Sequence, residues 1–332
     1  MQSSLKYRNR HLAVIGMLML SIVLLFSGCS NAKTGSNASQ NEGQGADNKQ
    51  PATNAYGAEV RKVKDAYGEV EVPDKPSKIV VLDIGALDNL LELGIKPVGA
   101  PSILTAGDPY PAYLKGTDGV TNIGTVNEPN LEAIDALKPD LIIGNKDAHD
   151  AIHDQLKQIA PTVFVETLGV TWKANLQLHA ETVNKQAEGE KLLEAYKQKT
   201  EAIQAKLADA KGSQISLIRP RADKIQAYLE DTFAGTIMKD SGITRPAAQT
   251  GDGFSKDITE EQIAELDGDL ILWFNREPDA FAKLEKSPLW ASLKGVQNKQ
   301  VHAVDWEYWM SGLGIQAVNK VSDDLESFLF AN

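Results

Sequence analysis

With 332 residues, 34 Lys and Arg against 45 Asp and Glu, the chain carries a formal net charge of −11. That balance argues against a nucleic-acid partner, because a phosphate backbone is held by cationic patches. A single cysteine rules out an intrachain disulfide and a thiolate–zinc cluster, and the chain shows no nucleophile elbow or phosphate-binding glycine loop, which disfavours an enzyme.

The first ten residues carry Lys6, Arg8 and Arg10 and no acid. Leu12 to Phe26 is then an apolar run with only Gly16 and Ser21 inside it, too short for a comfortable membrane span and right for the core of a signal peptide. The run ends in Phe26-Ser27-Gly28-Cys29, which resembles the lipobox of bacterial lipoproteins, with Phe26 where Leu is usual. That resemblance implies lipidation at Cys29, which would become the mature N-terminus. Residues 1–28 are therefore read as a lipoprotein signal peptide. Residues 29–57, rich in Ser, Asn, Gly, Gln and Ala, read as a flexible tether with little to bury. Losing Lys6, Arg8 and Arg10 moves the net charge from −11 to −14, so clustered arginines stand out in what remains.

Residues 58–171 read as an N-terminal α/β lobe. Val60–Val72 predicts a hairpin turning at Asp65-Ala66-Tyr67-Gly68. Lys78–Leu82 predicts a buried strand, followed by a helix through Leu90, Leu91 and Leu93 that Gly94 stops. Lys96–Ala100 is the next strand, and a Gly-, Pro- and Tyr-rich loop leads to a helix at Leu131–Leu137. Leu141–Ile143 predicts a strand, Asp147–Ile159 a helix, and Thr162–Val165 another strand. Strands alternating with helices imply a mainly parallel sheet covered on both faces.

Residues 172–211 form a connecting segment dominated by one helix from about Gln186 to Asp209. Leu192, Tyr196, Thr200, Ile203 and Leu207 recur at helical spacing along one side, while Gly189 is a weak point in the helix interior. At roughly 35 Å long, the helix reads as a rigid strut between two lobes. Residues 212–332 then repeat the scheme as a C-terminal α/β lobe. Strands are predicted at Gln214–Ile218, Gln226–Leu229, Leu270–Phe274 and Val301–Val304, with helices at Phe233–Ser241 and Gly314–Phe328. Glu132, Ile134, Leu137, Asp140, Leu141 and Ile142 reappear at one constant displacement as Glu261, Ile263, Leu266, Asp269, Leu270 and Ile271, which supports duplication of the lobe.

The phrases PSKIVVLDIGALDNLLELGIKPVGA, EPNLEAIDALKPDLIIGN, DTFAGTIMKDSGITRP and DGDLILWF, in that order around the strut, resemble bacterial ABC-importer substrate-binding proteins of the siderophore and vitamin B12 class. Within it the chain is similar to the iron-hydroxamate and ferric-citrate binders, along essentially all of Val60–Leu329. The resemblance implies two Rossmann-like lobes joined by one long helix, with the ligand cleft between them. It further implies a lipid-anchored receptor on the outer face of the cytoplasmic membrane. Such a receptor captures a ferric siderophore and delivers it to a permease driven by a cytoplasmic ATPase, as a monomer with no cofactor of its own. Ser30 and the long tether point to a Gram-positive surface, with a periplasmic setting still open. Haem and cobalamin stand as alternative ligands of the same fold.

Ligands of open α/β sheets sit beyond the carboxyl ends of the strands. There Ser216-Leu217-Ile218 runs into Arg219-Pro220-Arg221, and Leu270–Phe274 into Asn275-Arg276. Guanidinium groups bind carboxylates and catecholates through bidentate, charge-assisted bonds, so Arg219, Arg221 and Arg276 are the candidate anion site. Trp273, Trp306, Tyr308 and Trp309 are candidates for an apolar wall, and alternation suggests that one of Trp306 and Trp309 points inward and the other to the cleft. From the first lobe, Asp83 and Gly85 begin a helix whose N–H groups could meet an anion, and Lys146, Tyr110 and Trp172 are further candidates. His149 and His153 have the spacing of two metal ligands on one helix face, but no third histidine sits to complete a set. They are read as a solvated face, with no metal site.

Overall fold

The computed structural model describes residues 59–209, 213–274 and 276–330; the proposed signal peptide, Cys29, the tether, Lys211-Gly212 and Asn275 lie outside them. Val60–Asp65 (β1) and Gly68–Pro73 (β2) pair as the expected antiparallel hairpin.

The first lobe is built on Ile79–Val81 (β3), Gly99–Ser102 (β4), Thr121–Thr125 (β5), Leu141–Asn145 (β6) and Thr162–Val165 (β7). They form one parallel sheet in the order β5-β4-β3-β6-β7. β3, β6 and β7 are buried throughout, as near-continuous apolar strands covered on both faces should be. Helices Ile84–Glu92 (α1) and Leu131–Ala136 (α2) start on the side chains of Asp83 and Asn130, which accept from backbone N–H groups in the first turn. Strand β5 differs from the loop expected there: its TNIGT buries only Ile123, too little pattern to read. The single helix expected at Asp147–Ile159 is two, Lys146–His149 (α3) and His153–Ile159 (α4), joined by a 3₁₀ turn at Asp150–Ile152. The break lies where the His149 ring turns inward.

Trp172–Thr182 (α5) and Gln186–Asp209 (α6) connect the lobes. On α6, Tyr196, Thr200, Ile203 and Leu207 are buried and Leu192 partly so, the stripe that the spacing predicts. Gly189 has a purpose the propensity argument missed. A Cβ there would come within 2.7 Å of Ala180 Cβ, so glycine is what lets α5 and α6 approach.

The second sheet runs in the order β10-β9-β8-β11-β12, from Ile215–Pro220 (β8), Ile225–Tyr228 (β9), Ser255–Ile258 (β10), Leu270–Phe274 (β11) and Val301–Val304 (β12). β8, β11 and β12 are parallel, whereas β9 runs antiparallel to its neighbours β8 and β10. It therefore does not wholly repeat the first sheet: the connection at 221–224 is too short for the crossover a parallel neighbour needs. Its helices are Phe233–Asp240 (α7), Pro278–Leu284 (α8), Pro288–Ala291 (α9), Lys294–Gln297 (α10), Trp306–Trp309 (α11) and Ile315–Phe330 (α12).

The lobes also meet away from α6. Asp88, fully buried on α1, accepts from the backbone N–H of Gln316 at 2.6 Å and of Ala317 at 3.0 Å, and Asn89 Oδ1 accepts from Ile315 at 3.0 Å. First-lobe side chains thus satisfy the N–H groups that the start of α12 leaves free.

Candidate functional site

β8 and β11 are adjacent and parallel, so the residues at and just beyond the end of each emerge at the same carboxyl edge. Arg219, Arg221 and Arg276 all line one cavity there, of about 300 Å³, together with Gln226, Tyr228, Phe254, Phe274, Trp306, Met310 and Ser311. The Arg276 guanidinium carbon lies 3.9 Å from the centroid of the Trp306 ring, a close cation–π contact. Arg219 Nη2 donates to Glu277 Oε1 at 3.1 Å, and Arg221 Nε lies 3.5 Å from the same oxygen. Arg219 Nε is buried with no partner among the described residues. Tyr228 meets Phe274 edge-on at 5.2 Å and Phe254 at 5.6 Å. Burial pushes the Tyr228 hydroxyl up from its usual range, against the opposing pull of the arginines. Phe254, 53% exposed, leaves an open aromatic face at the rim.

A larger cleft of about 590 Å³ beside Tyr67 and His153 is lined by Glu69, Glu71 and Lys157, and Lys157 is already paired with Asp154. It has no convergent cations, so an anion has no reason to prefer it.

Several expected site residues lie elsewhere. Trp273 faces the opposite side of β11, stacked on Phe281 at 3.6 Å. Side chains alternate along a strand, so it is Phe274 that reaches the cavity. Trp309 is buried and its indole N–H donates to Asp324 at 2.8 Å, while the Tyr308 hydroxyl donates to the same carboxylate. Both are fastened beneath α12, so of the two tryptophans Trp306 faces the cavity and Trp309 the core.

In the first lobe Asp83 caps α1 through Ala86 N–H and accepts from Asn145 Nδ2, leaving its buried carboxylate committed. The start of α1 is closed to an anion, because a Cβ on Gly85 would lie 2.9 Å from the Leu313 carbonyl oxygen. Lys146 pairs with Glu166 at 2.9 Å, and the Tyr110 hydroxyl, pushed up to about 12 by burial, donates to Ala100 O at 2.9 Å. Trp172 is core, donating to Thr236 Oγ1. None of these residues lines the arginine cavity. His149 and His153 are buried, not solvated: His149 Nε2 donates to Val126 O, and His153 stacks on Tyr67 at 4.0 Å. Among the described residues no group of three or more His, Cys, Asp or Glu is placed to hold a metal ion.

Sequence reasoning missed Tyr228, Gln226, Phe254, Phe274, Met310 and Ser311. The period-two alternation of LILWF separates Phe274 from Trp273, a signal the sequence did contain.

Two α/β lobes on a long helix, with a charged aromatic pocket at strand ends, define a binding protein. The chain belongs to the Periplasmic binding protein family, whose model matches residues 79–308. It is 35% identical to the Probable siderophore-binding lipoprotein YfiY of Bacillus subtilis, over 96% of this chain and 98% of that protein. It is 30% identical to the Fe(3+)-citrate-binding protein YfmC of the same organism, over 96% and 97%. Among solved structures, Staphylococcus aureus SirA complexed with staphyloferrin B is similar at a TM-score of 0.71 and 31% identity, covering 81% of this chain and 98% of that one.

Proposed function

We propose that this protein is the receptor of an ABC importer, capturing an anionic ferric siderophore in the arginine–aromatic cavity and handing it to a permease driven by a cytoplasmic ATPase. The observation that carries this reading is the convergence of Arg219, Arg221 and Arg276 with Trp306 and Tyr228 on one cavity, on a chain of net charge −11. Guanidinium groups supply charge-assisted bonds to anionic iron-chelating groups, and the aromatic faces supply apolar area for a siderophore backbone. The named ligands of the relatives, a siderophore and ferric citrate, point the same way. Capture and release need no bond-making step, so the reading assigns no catalytic residue and no resident cofactor.

The direct test is tryptophan fluorescence, with Trp306 as the reporter inside the site. It would be titrated with ferric citrate, ferric hydroxamate and catecholate siderophores, haem and cobalamin. The anionic ferric complexes are expected to bind tightest; tighter binding of haem or cobalamin would overturn the reading. Anchoring at Cys29 on the outer membrane face is part of the same proposal. Cys29→Ala should leave the protein unprocessed or free of membranes, and a mature N-terminus at any other residue would refute it.

A further inference from the structure

Glu277 occupies the N-cap position of α8, where Ser, Thr, Asp or Asn usually accepts a bond from the first turn, yet its side chain makes no such bond. Its Oε1 instead bridges Arg219 Nη2 and Arg221 Nε, at 3.1 and 3.5 Å. The carboxylate is absent from the lining of the cavity that both arginines line, so it grips them from outside the space a ligand would fill. We propose that Glu277 is the positioning residue of the binding site, holding Arg219 and Arg221 together so that their remaining donors face an anionic ferric complex. This inference rests on the cavity being the ligand site.

Three guanidinium groups around one cavity repel one another. Arg276 is steadied by the Trp306 ring. Arg219 and Arg221 have no carboxylate partner other than Glu277 among the described residues. Each guanidinium has five N–H donors; Glu277 accepts one from Arg219 and lies at ion-pair distance from Arg221, so most of the donors stay uncommitted for a ligand. Holding flexible side chains in their bound arrangement beforehand raises affinity, because the ordering cost is no longer met on binding.

Two effects of removing Glu277 have opposite signs. Losing a negative charge beside the site strengthens attraction for an anion. Losing the bridge lets two like charges separate and disorders them. Glu277 is 31% exposed, so solvent screens the first effect, and the second dominates.

Ferric citrate serves as the anionic probe, with affinities read by tryptophan fluorescence for the wild type, Glu277→Ala and Glu277→Gln. Glu277→Ala is expected to weaken binding about 5- to 50-fold. Glu277→Gln, which keeps an oxygen acceptor in place, should stay within about threefold of the wild type. Adding Glu277→Ala to Arg219→Ala/Arg221→Ala should cost nothing further, because the bridge then has nothing to hold. Equal or tighter binding by Glu277→Ala overturns the proposal. So does a loss that persists in full without the two arginines, since that would trace to collapse of the loop carrying Arg276. A wild type that binds no ferric complex overturns the functional reading and this inference with it, whereas a binding wild type with an unaffected Glu277→Ala overturns only the inference.

Discussion

Replacing Asp88 with Asn tests how the lobes are joined. The carboxylate is buried and accepts from Gln316 and Ala317 at the start of α12. The amide keeps one oxygen acceptor and turns an NH₂ group toward the other N–H. One buried N–H is then unsatisfied, at a cost of about 1–3 kcal/mol. Against this runs a second effect. Burial pushes the Asp88 carboxyl up to about 8, although the two N–H groups pull it the other way. A group whose folded-state pKa is raised gives its full stability at low pH and loses it as pH rises through the folded value. In the wild type that loss runs from about pH 4 to about pH 8, and between pH 5 and pH 8 it amounts to about 4 kcal/mol. The neighbouring His179, driven down to about 4 by burial, works in the opposite sense, adding stability as pH rises from about 4 to 6.5. Comparing wild type with Asp88→Asn cancels it. In urea unfolding the wild type should be the more stable by about 1–3 kcal/mol at pH 4, where the loss has barely begun, and the advantage should vanish or reverse by pH 8. Amide exchange at Gln316 and Ala317 should quicken in the variant. A wild-type advantage that stays constant with pH would mean that the N–H groups and the end of α12 keep Asp88 ionised despite its burial, and the argument would fail.

Arg219→Ala/Arg221→Ala should weaken ferric-ligand binding by about 2–5 kcal/mol, roughly 30- to several-thousand-fold, with little change in melting temperature because neither side chain is core; unchanged affinity in a titration would move the site elsewhere. Trp273→Ala should lower stability by about 1–3 kcal/mol in urea, since its partly buried ring stacks on Phe281, and leave affinity alone. Trp306→Ala should reverse that pattern, losing about 1–2 kcal/mol of binding, and identical effects of the two changes would contradict the assignment of faces. Small-angle scattering should record only a rocking of a few degrees on ligand addition, because α6 and the Asp88–α12 contacts resist wide closure; a large compaction would refute the rigid connection.

Local pattern was enough for features whose cause is local. The stripe Tyr196, Thr200, Ile203 and Leu207 marked α6, and the apolar runs Thr162–Val165, Leu270–Phe274 and Val301–Val304 marked strands, because helical and extended backbones impose periods of 3.6 and 2 on what they bury. The arginines that line the cavity were legible for the same reason: a residue at or just past the end of a strand leaves at the carboxyl edge whatever covers the rest of the sheet. Residue identity alone also made Cys29 a candidate anchor. What only tertiary structure decided is the partner each side chain meets. Trp306 and Trp309 share one short helix, yet one lies against Arg276 and the other donates to Asp324, which arrives from α12. The N–H groups that begin α1 looked free to meet an anion until Asp83 was found to accept from one of them and Leu313, from distant sequence, to close over Gly85. Gly189 looked like a flaw until Ala180 was seen to fill the space a side chain would need. Periodicity tells which face of its own element a residue occupies, but the group covering that face comes from distant sequence, and packing chooses it.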